Sequence, residues 1–284
     1  MRDFGGSKVF ITGGSAGIGK ATALSLARAG ARVAICARGQ GSLDATLNEL
    51  RAAGGGPHAA FSADVTRPAQ IRAAAAAAIA ELGGIDLLIC NSGFSRSATA
   101  KDTSEDLMRQ LMEVNFFGHV NTFAAFQDHF VERRQGDIVF VSSMFATFSV
   151  FGYGAYAASK CAITGFAESV RQEMMIHGVR VKLFMPPSTE TPGFAAENED
   201  KPALLHELET GSALNAVHKP EKVAEALLRW LPTNRFFGLA TWDSKLQWFM
   251  ARHFPELGLR LADSELRGAQ KRLEKKQTVR PESA

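Results

Sequence analysis

The sequence predicts one α/β unit built on a doubly wound parallel sheet with helices on both faces, followed by a lid-like excursion and a C-terminal helical extension. Three observations carry this expectation: short β-branched and aliphatic runs alternate with helical patterns, the first run opens into a glycine-rich turn, and the alternation breaks only after Pro187. With 284 residues, 46% apolar and 21% charged, the chain is long enough for one large core.

The strand-like runs, in order, are "KVFIT", "RVAICA", "HAAFSADV", "IDLLICNSG", "GDIVFVSS" and "VRVKLFMPP", with "RFFGLAT" as a last strand. Their near-continuous apolar character fits strands buried on both faces. After the first, "GKATALSLARAGA" carries an apolar stripe at Ala23, Leu26 and Ala27 and closes at Gly30, a C-terminal cap. The alanine-rich "IRAAAAAAIAEL" has the length and flanks of a crossover helix. Residues 188–216 are polar, carry Glu190, Glu197, Glu199, Asp200, Glu207 and Glu209, and are broken by prolines and glycines, the pattern of a lid. A helix resumes at "KPEKVAEALLRWL", with Pro220 suited to its first turn. Residues 1–235, lid included, then form the principal domain, and residues 236–284 an amphipathic extension ending in a frayed, charged tail.

Composition excludes several classes. The net charge of +3, with 32 basic residues against 29 acidic and the excess near the end, argues against a nucleic-acid partner. Cys36, Cys90 and Cys161 are far apart and form no C-x-x-C pair, so neither a metal site nor a disulfide framework is expected; they fit buried thiols in a reducing compartment. The first strand begins within about eight residues of Met1, and no window supplies about 18 consecutive apolar residues, so the expectation is a chain neither exported nor membrane-spanning.

The first strand runs into "TGGSAGIGK", with Gly13, Gly17 and Gly19 before a helix. Such glycines let the backbone approach a pyrophosphate closely, and the helix start favours its charge, with Ser15 and Ile18 in the same turn. The spacing departs from the usual G-x-G-x-x-G. Where an NAD-selective site often has a carboxylate, the second strand ends at Ala37 and Arg38, a partner for a 2′-phosphate; with Ser15 nearby this predicts NADPH. Asp64 and Val65 follow the third strand at the adenine position, and Asn91 and Gly93 end the fourth beside the cofactor.

The chemical signal is "YAASK": Tyr156 and Lys160, four apart on a helix, share a face, so the ammonium lowers the phenol's pKa. The chain has only two tyrosines, and Tyr153 has Ala157 at the corresponding spacing. Ser143, thirteen residues before Tyr156, ends a strand where its hydroxyl meets the same substrate oxygen.

Together, "TGGSAGIG", "NSG", "EVNFFG", "SS" and "YAASK" resemble the short-chain dehydrogenase/reductase superfamily over roughly residues 7 to 235. The resemblance implies a Rossmann-type fold, a dimer or tetramer, and a catalytic group of Asn115, Ser143, Tyr156 and Lys160, with Asn115 holding a water that relays protons to Lys160. It also implies that Pro186, Thr189 and Thr191 meet the nicotinamide carboxamide; Pro187 stands where the superfamily has glycine, and Ser92 where it has alanine. The run "PPSTETPGFAAENEDKP" is similar to the corresponding segment of 3-ketodihydrosphingosine reductases, which implies NADPH-dependent reduction of 3-ketosphinganine to sphinganine at the cytosolic face of a membrane. Reduction of another lipid ketone, such as a 3-oxoacyl thioester, and a nonenzymatic NADPH- or lipid-binding role are the competing readings.

Such a long-chain keto-lipid carries an amine, for which Glu190 is the first candidate partner and Glu197 the second. Eukaryotic members of that family carry membrane spans for which this sequence has no counterpart. Here Phe236, Phe237, Trp242, Trp248, Phe249 and Phe254, followed by Lys271, Arg272, Lys275 and Lys276, read either as a peripheral membrane contact on a cytoplasmic protein or as packing against the core or a second subunit.

Overall fold

The computed structural model describes residues 4–54, 56–199, 201–211 and 216–279. The sheet forms from β1 (Lys8–Thr12), β2 (Arg32–Ala37), β3 (Ala59–Ser62), β4 (Leu87–Cys90), β5 (Asp137–Val141), β6 (Arg180–Met185) and β7 (Phe237–Leu239). Its seven strands run in the order β3-β2-β1-β4-β5-β6-β7, every pair parallel. Because β7 pairs with β6, the sheet continues past residue 235.

Each strand sends alternate side chains to opposite faces. On one face Phe10, Leu88, Ile138, Phe140 and Leu183 pack with Ile71 of α3 (Pro68–Leu82), Phe126 and Phe130 of α5 (Gly118–Arg133), and Ile163 of α6 (Gly154–Met175). On the other, Val9, Ile11, Val33, Ile35, Val139 and Phe184 pack with Leu26 of α1 (Gly17–Arg28), Leu43 of α2 (Gln40–Ala53), and Val223 and Leu227 of α9 (Pro220–Trp230). Gly30, at φ +86°, takes the left-handed turn that ends α1, as its sequence position predicts.

The strand order reverses between β1 and β4, and at such a switch point a crevice opens beyond the strands' carboxyl ends. Three features of local structure surround it. α4 (Glu105–Met112) passes into α5 through a π-helical turn at Glu113–Phe117; a 3-10 turn, Met144–Ala146, follows β5; and the lid folds as α7 (Pro192–Glu199) and α8 (Ala203–Gly211). The lid is joined to the body by a parallel bridge between Thr189 and His218. Within its predicted span, residues 200 and 212–215 lie outside the described residues.

Two expectations are corrected here. The charged tail is not frayed through its described part: after α10 (Trp242–His253), α11 runs from Pro255–Val279, because Leu266 and the fully buried Ala269 pack with Leu205 and Leu208 of α8 and with Tyr153. Residues 280–284 of that tail lie outside the described residues. Cys36 and Cys90 are buried, whereas Cys161 is exposed, on the side of α6 turned away from the sheet.

Candidate active site

A cleft of about 1300 Å³ opens over the carboxyl ends of the strands. At one end lies the glycine turn: Gly13 and Gly17 take positive φ (+66° and +52°), which side chains disfavour. Gly19 sits beneath them and outside the cleft lining; a Cβ there would stand 2.2 Å from the Gly13 carbonyl oxygen and 2.6 Å from Asn91 Nδ2. Ala16 caps α1 without a side-chain acceptor, so the first-turn N–H groups keep their capacity for an anion. Asn91 ties β4 to this turn, donating from Nδ2 to the carbonyl of Thr12 at 3.0 Å. A pyrophosphate needs this close backbone approach, so the residues fit a dinucleotide.

Ser15, Ile18, Arg38, Asp64 and Val65 line the same end, with Arg38 exposed at the rim. Burial raises the Asp64 pKa, but hydrogen bonds from the Thr66 N–H and hydroxyl, both 2.9 Å, and the charges of Arg38 and Arg67 outweigh it and leave the pKa lowered. The Asp64 carboxylate is thus engaged in its own turn.

At the other end, Ser143 and Tyr156 line the cleft together, near enough that the Ser143 hydroxyl acts to lower the Tyr156 pKa. Ser143 Oγ accepts from the Phe145 N–H at 3.2 Å, which fixes it at the head of the 3-10 turn. Lys160 lies behind them, 4% exposed, its Nζ 5.8 Å from the Tyr156 ring centroid and donating to the Val141 carbonyl at 3.3 Å. Burial lowers the Lys160 pKa to about 8. Tyr156 contradicts the sequence expectation: its pKa is raised to about 12, because burial and the Glu197 charge outweigh the Ser143 hydroxyl.

Asn115 is fully buried in the π-helical turn. Its Oδ1 accepts from the Phe94 N–H at 2.9 Å, and its Nδ2 donates to the Phe94 carbonyl at 2.9 Å and to Ser159 Oγ at 3.0 Å. Gly93 brings this unit to Lys160, since a Cβ on Gly93 would stand 3.0 Å from Asn115 Oδ1 and 3.2 Å from Lys160 Nζ. Asn115 therefore braces the cleft from behind rather than lining it. Pro186, Thr189 and Thr191 line the cleft opposite the glycine turn, close enough that a Cβ on Gly17 would stand 2.9 Å from Thr191 Cγ2.

The two lid carboxylates exchange ranks. Glu190 is exposed and outside the cleft lining, its N–H spent on the His218 carbonyl at 2.9 Å. Glu197 is 4% exposed, lines the cleft, and acts electrostatically on Tyr156. Sequence reasoning missed the groups around it. The hydroxyl of buried Tyr153 meets the carboxylates of Glu197 and Glu209, the latter at 3.0 Å, and Lys201 Nζ lies 2.5 Å from Glu209 and 3.8 Å from Glu197. Burial, followed by the Glu197 charge, raises the Tyr153 pKa and keeps it a neutral donor. Glu197 thus brings a carboxylate to the cleft, with Lys201 and Glu209 paired behind it, outside the lining. The available signal was the four-residue spacing of Glu197 and Lys201, in a stretch read as irregular.

The extension also divides. Arg272 donates to the Glu207 carbonyl at 3.0 Å and Lys276 pairs with the Glu207 carboxylate, so these two cations tether α11 to the lid. Phe236, Phe237 and Trp248 pack against the core, whereas Trp242, Phe249 and Phe254 are exposed. No described helix is long and apolar enough to cross a membrane.

With this geometry in view, a family model for short chain dehydrogenases matches residues 7–202. A 3-dehydrosphinganine reductase of Danio rerio is 35% identical over 228 residues, covering 79% of this chain and 68% of that protein. A 3-ketodihydrosphingosine reductase of Bos taurus is 35% identical over 235 residues, with the same 79% and 68% coverage. Among solved structures, a short-chain type dehydrogenase/reductase from Mycobacterium marinum superposes with a TM-score of 0.75 at 27% identity, over 84% of this chain and 94% of that one.

Proposed function

The chain belongs to the short chain dehydrogenase family and, within it, to the 3-ketodihydrosphingosine reductases, and on that premise we propose that it reduces the ketone of 3-ketosphinganine to the alcohol of sphinganine with NADPH. The observation that carries the substrate reading is the meeting, in one cleft, of the Tyr156 and Ser143 hydroxyls with the Glu197 carboxylate, whose neighbour Lys201 pairs more closely with Glu209. The first suits a developing alkoxide. The second suits the ammonium beside it.

Membership of this family and the Rossmann-type fold imply a nicotinamide cofactor, which when bound supplies the hydride to the carbonyl carbon. Tyr156 gives its proton to the carbonyl oxygen, and its raised pKa keeps it protonated at neutral pH, as a general acid requires. Ser143 orients that oxygen. Lys160, mostly protonated below its pKa of about 8, holds the nicotinamide ribose and stabilises the tyrosinate left behind. The Asn115 amide is committed to Phe94 and Ser159, so its share in the proton relay falls to its main-chain carbonyl. Arg38 and Ser15 take the 2′-phosphate; Gly13, Gly17, Ile18 and Gly19 shape the pyrophosphate turn; and Pro186, Thr189 and Thr191 receive the carboxamide. Asp64 and Val65 border the adenine, with Asn91 and Gly93 flooring the cleft between.

Glu197, not Glu190, is the proposed partner of the substrate ammonium. The principal domain with its lid performs the reaction, on a cytoplasmic protein in peripheral contact with a membrane, assembled as a dimer or tetramer; light scattering reads the assembly. The reaction is tested with NADPH carrying deuterium at both C4 positions. Deuterium recovered at C3 of sphinganine is the expected result, and NADPH oxidation without labelled sphinganine overturns the proposal.

A further inference from the structure

The exposed aromatics of α10 are not scattered. Trp242 is 75% exposed, Leu246 38% and Phe249 47%, and these positions recur at i, i+4 and i+7, so they share one stripe of the helix. Phe254, its ring 6.2 Å from that of Phe249, extends it at the bend, and Leu257 and Leu261 are exposed on the first turns of α11. The next stripe of α10 faces the opposite way in chemistry: Asp243 and Gln247 line the cleft. This helix is therefore the wall between the cleft and an outer apolar ridge, and a ridge of this kind marks an interaction surface.

Its charge indicates the occupant. From residue 244 to 261 the cations are Lys245, Arg252 and Arg260, against Glu256 as the one carboxylate. Lys245 and Arg260 are exposed along the ridge, whereas Arg252 spreads over the Phe237 and Trp248 rings. Asp243 is turned inward, 3.6 Å from His218. Tryptophan at the edge of an apolar stripe flanked by cations suits the headgroup region of an anionic bilayer. A second copy of the chain would set this positive ridge against itself across a two-fold axis, the less favourable arrangement.

We propose that α10 and the first turns of α11 dock on an anionic lipid surface, and that the substrate's alkyl chain enters the cleft over α10. The docking stands on the ridge; only the route of the alkyl chain rests on the assignment of a long-chain lipid ketone as substrate.

The test is flotation of the full chain with phosphatidylcholine vesicles, with and without phosphatidylserine, while following tryptophan emission. Wild type is expected to float with the anionic vesicles, with a blue shift that Trp242→Phe removes; Trp230 and Trp248 are already packed against the cores. Lys245→Glu with Arg260→Glu is expected to weaken partitioning by roughly 30-fold or more, from the known worth of a cation near such a surface. Trp242→Ser with Phe249→Ser should lose flotation while retaining turnover of a short-chain, freely soluble amino ketone. Wild type that does not float, or variants that float equally well, overturns the docking, as does a fall in particle mass by light scattering in the variants, which would assign the ridge to a second copy. Loss of turnover by wild type itself on the soluble ketone strikes the assigned reaction and leaves flotation as a separate result.

Discussion

Replacing Glu197 by Gln keeps the size and hydrogen-bonding reach of the side chain and removes its charge. Lys201 stands 2.5 Å from Glu209 but 3.8 Å from Glu197, so the ammonium is chiefly compensated by Glu209, and the Glu197 carboxylate keeps charge to offer a ligand. A hydrogen bond to a charged partner contributes ~1.5–3 kcal/mol, which is roughly a 10- to 150-fold loss in kcat/KM on 3-ketosphinganine. The ammonium is present before and during reaction, so the loss should fall mainly on KM. The assay is NADPH oxidation by Glu197→Gln and Glu190→Gln on the amino ketone and on the matching ketone without the amine. Glu190→Gln should match wild type on both, and Glu197→Gln should fall behind only on the amino ketone. Because the Glu197 charge raises the Tyr156 pKa, the variant's alkaline limb should also move to lower pH. An equal loss on both ketones would refute the reasoning, since it would mean that Glu197 serves the lid's packing.

Four further outcomes follow from the same geometry. Gly19→Ala places a Cβ 2.2 Å from the Gly13 carbonyl oxygen; at an overpacking cost of ~1–3 kcal/mol the turn should deform, and fluorescence titration should show weakened NADPH binding with unchanged far-UV circular dichroism. Arg38→Asp should raise KM for NADPH at least about tenfold and improve NADH, read from steady-state kinetics with each cofactor. Lys160 has a folded pKa of about 8 against its ordinary 10.5. The unfolded chain therefore binds the extra proton between those values, the burial cost is complete below pH 8 and relieved toward pH 10.5, and wild type should gain on Lys160→Met by ~3 kcal/mol over that window in urea denaturation. Lys276→Glu should loosen α11 from α8 and speed proteolysis within the lid, and adding Glu207→Lys should reverse much of that effect.

The central sheet was legible because strands covered on both faces must be apolar throughout, and "RVAICA" or "GDIVFV" leave little else to be. The glycine turn and the Tyr156-Lys160 pair were legible because their chemistry is local, set by spacing along one turn or one helix. What escaped depends on contacts between distant segments. α8 and α11 stabilise one another through Leu205, Leu208, Leu266 and Ala269, so neither the lid's helices nor the tail's order shows in its own composition. Glu190 and Glu197 look alike in sequence; the bridge between Thr189 and His218 leaves one exposed while α7 carries the other into the cleft. Tyr153 was passed over for lacking a lysine four residues on, yet its hydroxyl joins two lid carboxylates from 44 and 56 residues away. The pKa of Tyr156 went astray for a related reason: Lys160 was weighed, and the cost of burying the phenol, with Glu197 opposite, was not.

The most direct measurement compares NADPH consumption with 3-ketosphinganine in mixed micelles for wild type and Tyr156→Phe, beside a 3-oxoacyl thioester under the same conditions. Turnover on the sphingoid ketone is expected, with a loss of roughly 100- to 10,000-fold in Tyr156→Phe and little turnover of the thioester. Preference for the thioester would contradict the substrate, and undiminished turnover by Tyr156→Phe would contradict the mechanism.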